Sequence, residues 1–191
     1  HRQIRDSNEE DKEFLCSWIE TITKATGRSA NSWEGSRNMV DLRELVLKYY
    51  YAPETNGSNS IKHILPAILN HSNFLKDKYS KPIYGRSIKS LNFHDQQWIE
   101  FDKDGKLINP YYKLEPIYKD IDQELLDNLT LDDDAELRDG GAAMTAYAQM
   151  QFTEMNEKER ELIQASLLRY CELDTLAMVM IWEDWNHQIQ N

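Results

Sequence analysis

Cysteine is scarce in this chain. Cys16 and Cys171 are its two cysteines and lie far apart, which excludes a disulfide framework and a cysteine-rich zinc cluster and makes a reducing cytoplasm the expected compartment. No apolar run approaches the ~20 residues of a membrane-spanning helix, and mean hydropathy is -0.72, so no membrane partner is expected. The opening His1-Arg2-Gln3-Ile4-Arg5-Asp6 lacks the apolar core of a signal peptide. Cations are outnumbered, with 22 Lys and Arg against 33 Asp and Glu and a net charge of -11. That disfavours tight non-specific binding of nucleic acid by the chain alone, because neutralising phosphates takes clustered Lys and Arg. It leaves open a nuclease whose acidic site is neutralised by metal ions. There is no Gly-x-Ser-x-Gly, no phosphate loop and no Rossmann fingerprint. His63, His71, His94 and His187 show no metal-ligand spacing. In Asp102-Lys103-Asp104-Gly105 the glycine stands fourth, where a calcium loop needs it sixth, so the segment reads as a hairpin turn.

Aromatics are plentiful. Five Trp and ten Tyr in 191 residues, with 40% hydrophobic residues, indicate a folded core. Periodicity predicts a helix over 11–23 that buries Phe14, Leu15, Trp18, Ile19 and Ile22. Residues 26–38 read as a loop, 39–42 as a short strand and 43–51 as a helix. Ser60 is placed to cap a helix over 61–69, which Pro66 should kink or end early. Residues 70–90 are polar and mixed, 98–108 read as a β-hairpin, and 120–139 are acidic and expected to be solvated. An alanine-rich helix over 142–152 is followed by a capping box, Asn156 with Glu159. A long helix then runs over 157–188, with Leu162, Leu167, Leu168, Cys171, Met178, Ile181 and Trp182 as its expected core.

Two segments carry candidate chemistry. Tyr170 and Asp174 are spaced Tyr-x-x-x-Asp on the long helix, about one turn apart, so both project from one face. A carboxylate there can bind a divalent cation while the phenol orients an attacking water. Tyr118 and Asp122 match the same short pattern inside the acidic stretch and are read as a chance match. Gly57-Ser58-Asn59-Ser60-Ile61-Lys62 can cradle a phosphate with backbone N–H groups and Lys62, or be a turn that caps a helix.

Several stretches taken in order resemble one bacterial family. They are Val40-Asp41-Leu42, Tyr50-Tyr51-Ala52-Pro53, the run from Gly57 through Lys62 to Ala67, Asp139-Gly140-Gly141-Ala142-Ala143, and Leu168-Arg169-Tyr170-Cys171-Glu172-Leu173-Asp174-Thr175-Leu176-Ala177-Met178-Val179. The family is called domain of unknown function 2779. It is similar to the DnaQ-like, RNase H-fold 3′–5′ exonucleases of the Asp-Glu-Asp-Asp-Tyr type. The resemblance covers residues 39–185, with 70–138 as a variable insertion. It implies an α/β fold with a mixed sheet flanked by helices. Asp174 matches the last metal-binding acid and Tyr170 the water-positioning tyrosine. Asp41 falls just after the second motif, in a structural position. The first motif, Asp-x-Glu, has no match in the chain, and the first residue is not Met.

The expectation is therefore the C-terminal portion of a single exonuclease-like domain, with three carboxylates and three strands upstream of His1. As an isolated chain it should be predominantly α-helical with a short strand and a β-hairpin. It should be inactive, or nearly so, by itself. Mg²⁺ or Mn²⁺ is expected in the complete protein, with none tightly bound here, and nucleic acid is the expected partner of that complete protein. The alternative is a non-catalytic module that keeps the RNase H-like scaffold, with its acidic surface suited to a protein partner.

Overall fold

The computed structural model describes residues 1–27, 29, 31–115 and 140–190, apart from the side chains of 140–142. The described chain is predominantly α-helical, and β pairing among these residues is confined to isolated bridges. No described helix is long and apolar enough to cross a membrane. Tyr118, Asp122 and the acidic stretch 120–139 lie outside the described residues. The chain divides into two compact units, His1–Tyr49 and Tyr50–Asn191.

The first unit holds α1 (Arg2–Arg5), α2 (Lys12–Ile22) and α3 (Leu42–Tyr49). The apolar stripe of α2 is turned from its expected direction. Cys16 is buried and Leu15, Ile19 and Ile22 are partly covered, while Phe14 is 69% exposed and Trp18 50%. Helical geometry rotates neighbouring residues by about 100°, so Phe14 and Trp18 sit one step off the stripe. The expected loop is tied back to the residues before it: Lys24 bridges Glu34 in antiparallel fashion and Trp33 Nε1 donates to Thr23 Oγ1 at 3.0 Å. The expected strand at 39–42 does not form, and Met39 and Val40 are exposed. Asp41 Oδ1 instead accepts from the Arg43 N–H at 2.9 Å. This local side-chain turn competes with strand pairing and starts α3.

Among its described residues the second unit holds the α-helices α4 (Ile61–His71), α5 (Asn73–Tyr79), α6 (Gly140–Phe152) and α7 (Glu157–Gln190). Its core joins Ile64, Leu65, Ile68 and Leu69 of α4 to Leu173, Leu176, Ala177, Met180 and Ile181 of α7, with Leu75, Tyr79, Trp98 and Ile99 also buried. Burying each Leu or Ile contributes roughly 1.5–3 kcal/mol.

Pro66 neither ends nor shortens α4, which runs on to His71. A proline lacks the N–H that would bond the carbonyl four residues back. That carbonyl belongs to Lys62, and Asn109 Nδ2 donates to it at 3.4 Å. The Ser60 hydroxyl makes no cap bond, contrary to expectation. Ser58 Oγ takes the local role instead, accepting from the Ser60 N–H at 3.2 Å and pairing with His63 Nδ1 at 3.1 Å. The polar stretch 70–90 contains α5, which Ser72 starts by accepting from the Leu75 N–H at 3.1 Å. The turn at 98–108 closes through Asp102 N–H to Lys106 O at 2.8 Å, with Gly105 at φ 77°, but its pairing is a single Phe101–Leu107 bridge.

The capping box forms in both directions. Asn156 Oδ1 accepts from the Glu159 N–H at 2.9 Å, and Glu159 Oε2 from the Asn156 N–H at 3.1 Å. The helix it starts buries a different stripe from the expected one. Ile163, Tyr170, Leu173, Ala177, Met180, Ile181 and Asp184 face inward. Leu162, Leu168, Cys171, Met178 and Trp182 are exposed, and Trp182 is 56% open. Of the expected core, Ile181 is buried and Leu167 packs partly covered against the Ala146–Ile163 cluster. The buried stripe includes a tyrosine and an aspartate, which a search for apolar residues passes over.

Candidate functional site

Tyr170 and Asp174 lie on the border of α7 that meets the N-terminal half of α4 and the 3₁₀ turn Pro110–Lys113. The arrangement is linked to Pro66 through the Lys62 carbonyl. Asn109 is held by the Lys62 carbonyl through its amide nitrogen, and its Oδ1 caps the turn by accepting from the Tyr111 N–H at 3.1 Å. The turn buries Tyr111 and aims its hydroxyl at α7, where it donates to Asp174 Oδ1 at 2.6 Å. The Tyr111 and Tyr170 rings lie 6.3 Å apart, tilted by 55°. The Lys62 ammonium sits 5.0 Å from the centre of the Tyr170 ring and 5.5 Å from that of Tyr111. Lys62, Tyr170 and Asp174 thus belong to one cluster, with Tyr111 as a fourth member that sequence reading did not select.

The electrostatics follow from burial. Tyr111 is pushed well above the ordinary tyrosine range, first by burial and then by its hydrogen bond to Asp174 and by that carboxylate's charge. Its hydroxyl therefore remains a donor, and Asp174 accepts from a neutral group. The carboxylate charge is not cancelled by the bond, as it would be by an ion pair with Lys or Arg. A hard carboxylate oxygen with a neutral hydrogen-bonding partner suits Mg²⁺ or Mn²⁺ as one ligand of a set. Among the described residues no three His, Cys, Asp or Glu side chains converge to hold a metal. Within this cluster Asp174 is a single carboxylate, and the described residues do not form a complete metal site. Asp41, bound to the Arg43 N–H, belongs to the first unit.

The opposite border of α7 carries a second polar arrangement. Glu172 Oε1 accepts from the Tyr84 hydroxyl at 2.8 Å and Ser90 Oγ at 2.5 Å, while Oε2 accepts from Asn92 Nδ2 at 2.6 Å. Burial raises the Glu172 carboxyl, but the three side-chain donors outweigh it and hold the group below the usual carboxylate range. These residues wall a groove of about 840 Å³ that also includes Lys89, Leu168, Cys171 and Val179. Further along, Glu183 accepts from Lys78 Nζ at 2.7 Å and the Tyr79 hydroxyl at 3.0 Å. Three acids of α7 are thus each met by a tyrosine from an earlier segment. The partners are 63 to 104 residues apart in sequence, so no local spacing signals them.

The histidines are engaged elsewhere or exposed. His71 pairs with Glu54 at 2.8 Å and His187 stacks on Phe74 at 4.4 Å, while His94 is exposed.

No family model, curated protein or solved structure matches this chain.

Proposed function

We propose that the chain is the C-terminal portion of a divalent-metal-dependent 3′–5′ exonuclease with an RNase H-like fold. The observation that supports this reading most directly is the meeting of Lys62 with Tyr170, at 5.0 Å, one helical turn from Asp174. A cation, a phenol and a carboxylate at one place are the groups that phosphodiester hydrolysis uses. Asp174 would hold Mg²⁺ or Mn²⁺ jointly with carboxylates that the complete protein supplies upstream of His1. When bound, a divalent ion polarises the phosphodiester and acidifies a coordinated water. Tyr170 orients the attacking water through its hydroxyl. Lys62 attracts the nucleic-acid backbone and offsets phosphate charge in a chain of net charge -11.

The test is cleavage of end-labelled DNA and RNA by the full-length polypeptide, with and without Mn²⁺. Asp174→Asn should abolish metal-dependent cleavage while the helical circular dichroism is kept. Tyr170→Phe should slow cleavage about 10- to 1000-fold, because a positioning hydrogen bond is lost while the carboxylate remains. Undiminished cleavage by Asp174→Asn would refute the assignment. A second reading, a non-catalytic protein-interaction module, is favoured by the exposed aromatics Phe14, Trp18, Tyr49 and Tyr51. The reading frame upstream of His1 distinguishes the two: an Asp-x-Glu on an apolar strand there would support the exonuclease, and its absence would support the module.

A further inference from the structure

We infer that Tyr111 is the positioning residue for Asp174, holding its carboxylate in the rotamer that presents it to a divalent cation. This rests on the reading of Asp174 as a metal ligand, and it adds a residue that neither spacing nor resemblance selected. Tyr111 is 2% exposed, and its hydroxyl reaches Asp174 Oδ1 at 2.6 Å. An aspartate on a helix surface otherwise has several rotamers open to it, and a fixed donor on one oxygen leaves the other in a defined direction.

The donor is itself rigid. Asn109 Oδ1 fixes the Tyr111 N–H, Asn109 Nδ2 anchors on the Lys62 carbonyl that Pro66 leaves unbonded, and the Lys62 ammonium lies over the Tyr111 ring. Hydrogen-bonding partners of metal-binding side chains fix their orientation, and losing one typically weakens metal binding about 10- to 100-fold. A hydroxyl suits this role better than a Lys or Arg, since it orients the carboxylate without neutralising it.

The test compares Mn²⁺ binding, read by electron paramagnetic resonance of free Mn²⁺, with thermal stability in the full-length polypeptide. Tyr111→Phe keeps the buried ring and removes the hydroxyl, and it should raise the Mn²⁺ dissociation constant about 10- to 100-fold. The control is Tyr84→Phe, which removes an equivalent tyrosine–carboxylate bond on the opposite border of α7. It should lower the melting temperature and leave Mn²⁺ binding unchanged. All binding is read below the melting temperature of the least stable variant. If Tyr111→Phe, like the control, affects only stability while Asp174→Asn removes a Mn²⁺ site, the positioning role is overturned and the site survives. If Asp174→Asn leaves Mn²⁺ binding intact, the reading of the site itself fails, and the positioning role with it.

Discussion

Glu172 offers the sharpest test of how α7 is anchored. Its two carboxylate oxygens take three donors from the 84–92 segment, at 2.8, 2.5 and 2.6 Å. A hydrogen bond to a charged acceptor is worth about 1.5–3 kcal/mol and a neutral one about 0.5–1.5 kcal/mol. Glu172 is only partly covered, so water recovers part of what is lost and the three bonds do not simply add. Replacing Glu172 by Ala should cost about 3 kcal/mol. Glu172→Gln should cost less, about 1–2 kcal/mol. The glutamine oxygen still accepts from Tyr84 and Ser90, and Asn92 can turn its amide to offer its oxygen to the new N–H groups. What is lost is the charge. Urea denaturation followed by helical circular dichroism gives both values.

The pH dependence provides a second check on Glu172. Its carboxyl is held low in the folded state, so its contribution is present above the unfolded value of about 4.3 and is lost as pH falls through the lower folded value. Wild type should therefore lose part of its advantage over Glu172→Gln as pH drops below about 4. A Glu172→Ala cost under about 0.5 kcal/mol, the range of ordinary surface changes, would refute the clamp.

Two further outcomes are expected. Tyr79, Tyr84 and Tyr111 are all pushed above the ordinary tyrosine value, mainly by burial and then by Glu183, Glu172 and Asp174 respectively. The unfolded chain releases these protons near pH 10 while the folded one keeps them, so stability falls as pH rises above about 10. A spectrophotometric titration should show these three ionising together with unfolding, and reversible titration of all ten tyrosines with the helices intact would contradict it. Cys171 is exposed and Cys16 buried, so a thiol reagent should label Cys171 rapidly in the native protein and Cys16 only on unfolding. Slow labelling of Cys171 in the native protein would show that the stripe of α7 is assigned wrongly.

Helix existence was legible where local signals agreed. The reciprocal Asn156–Glu159 cap, with a long periodic run after it, located α7 within two residues at its far end. Its inward face differs from the apolar stripe because Tyr170 and Asp184 belong to the buried side, where Gln188 Nε2, one turn on, donates to the Asp184 carboxylate at 2.6 Å. In α2 the choice between adjacent stripes depended on what packs above Cys16, which periodicity does not contain. The strand expected at 39–42 loses to the Asp41 side-chain turn, a competitor whose whole signal is one aspartate two residues before Arg43. Tyr170, Asp174 and Lys62 were selected through motif and resemblance. Tyr111 was not, because its link to Asp174 spans 63 residues and depends on a 3₁₀ turn anchored through Asn109.

The placement of α7 bears on how the chain emerges during synthesis. Ile64, Leu65, Ile68, Leu69 and Leu75 of α4 and α5 find their apolar partners on a helix that begins at Glu157. At about 5–20 residues per second, Ile181 follows Tyr79 into the nascent chain roughly 5–20 s later. For that interval the apolar faces of these two helices lack the cover that α7 provides. A chaperone that binds short apolar segments has its natural window there, and it closes when α7 leaves the ribosomal tunnel. Translational pausing between α5 and α7 should therefore raise the insoluble fraction more than pausing before α4.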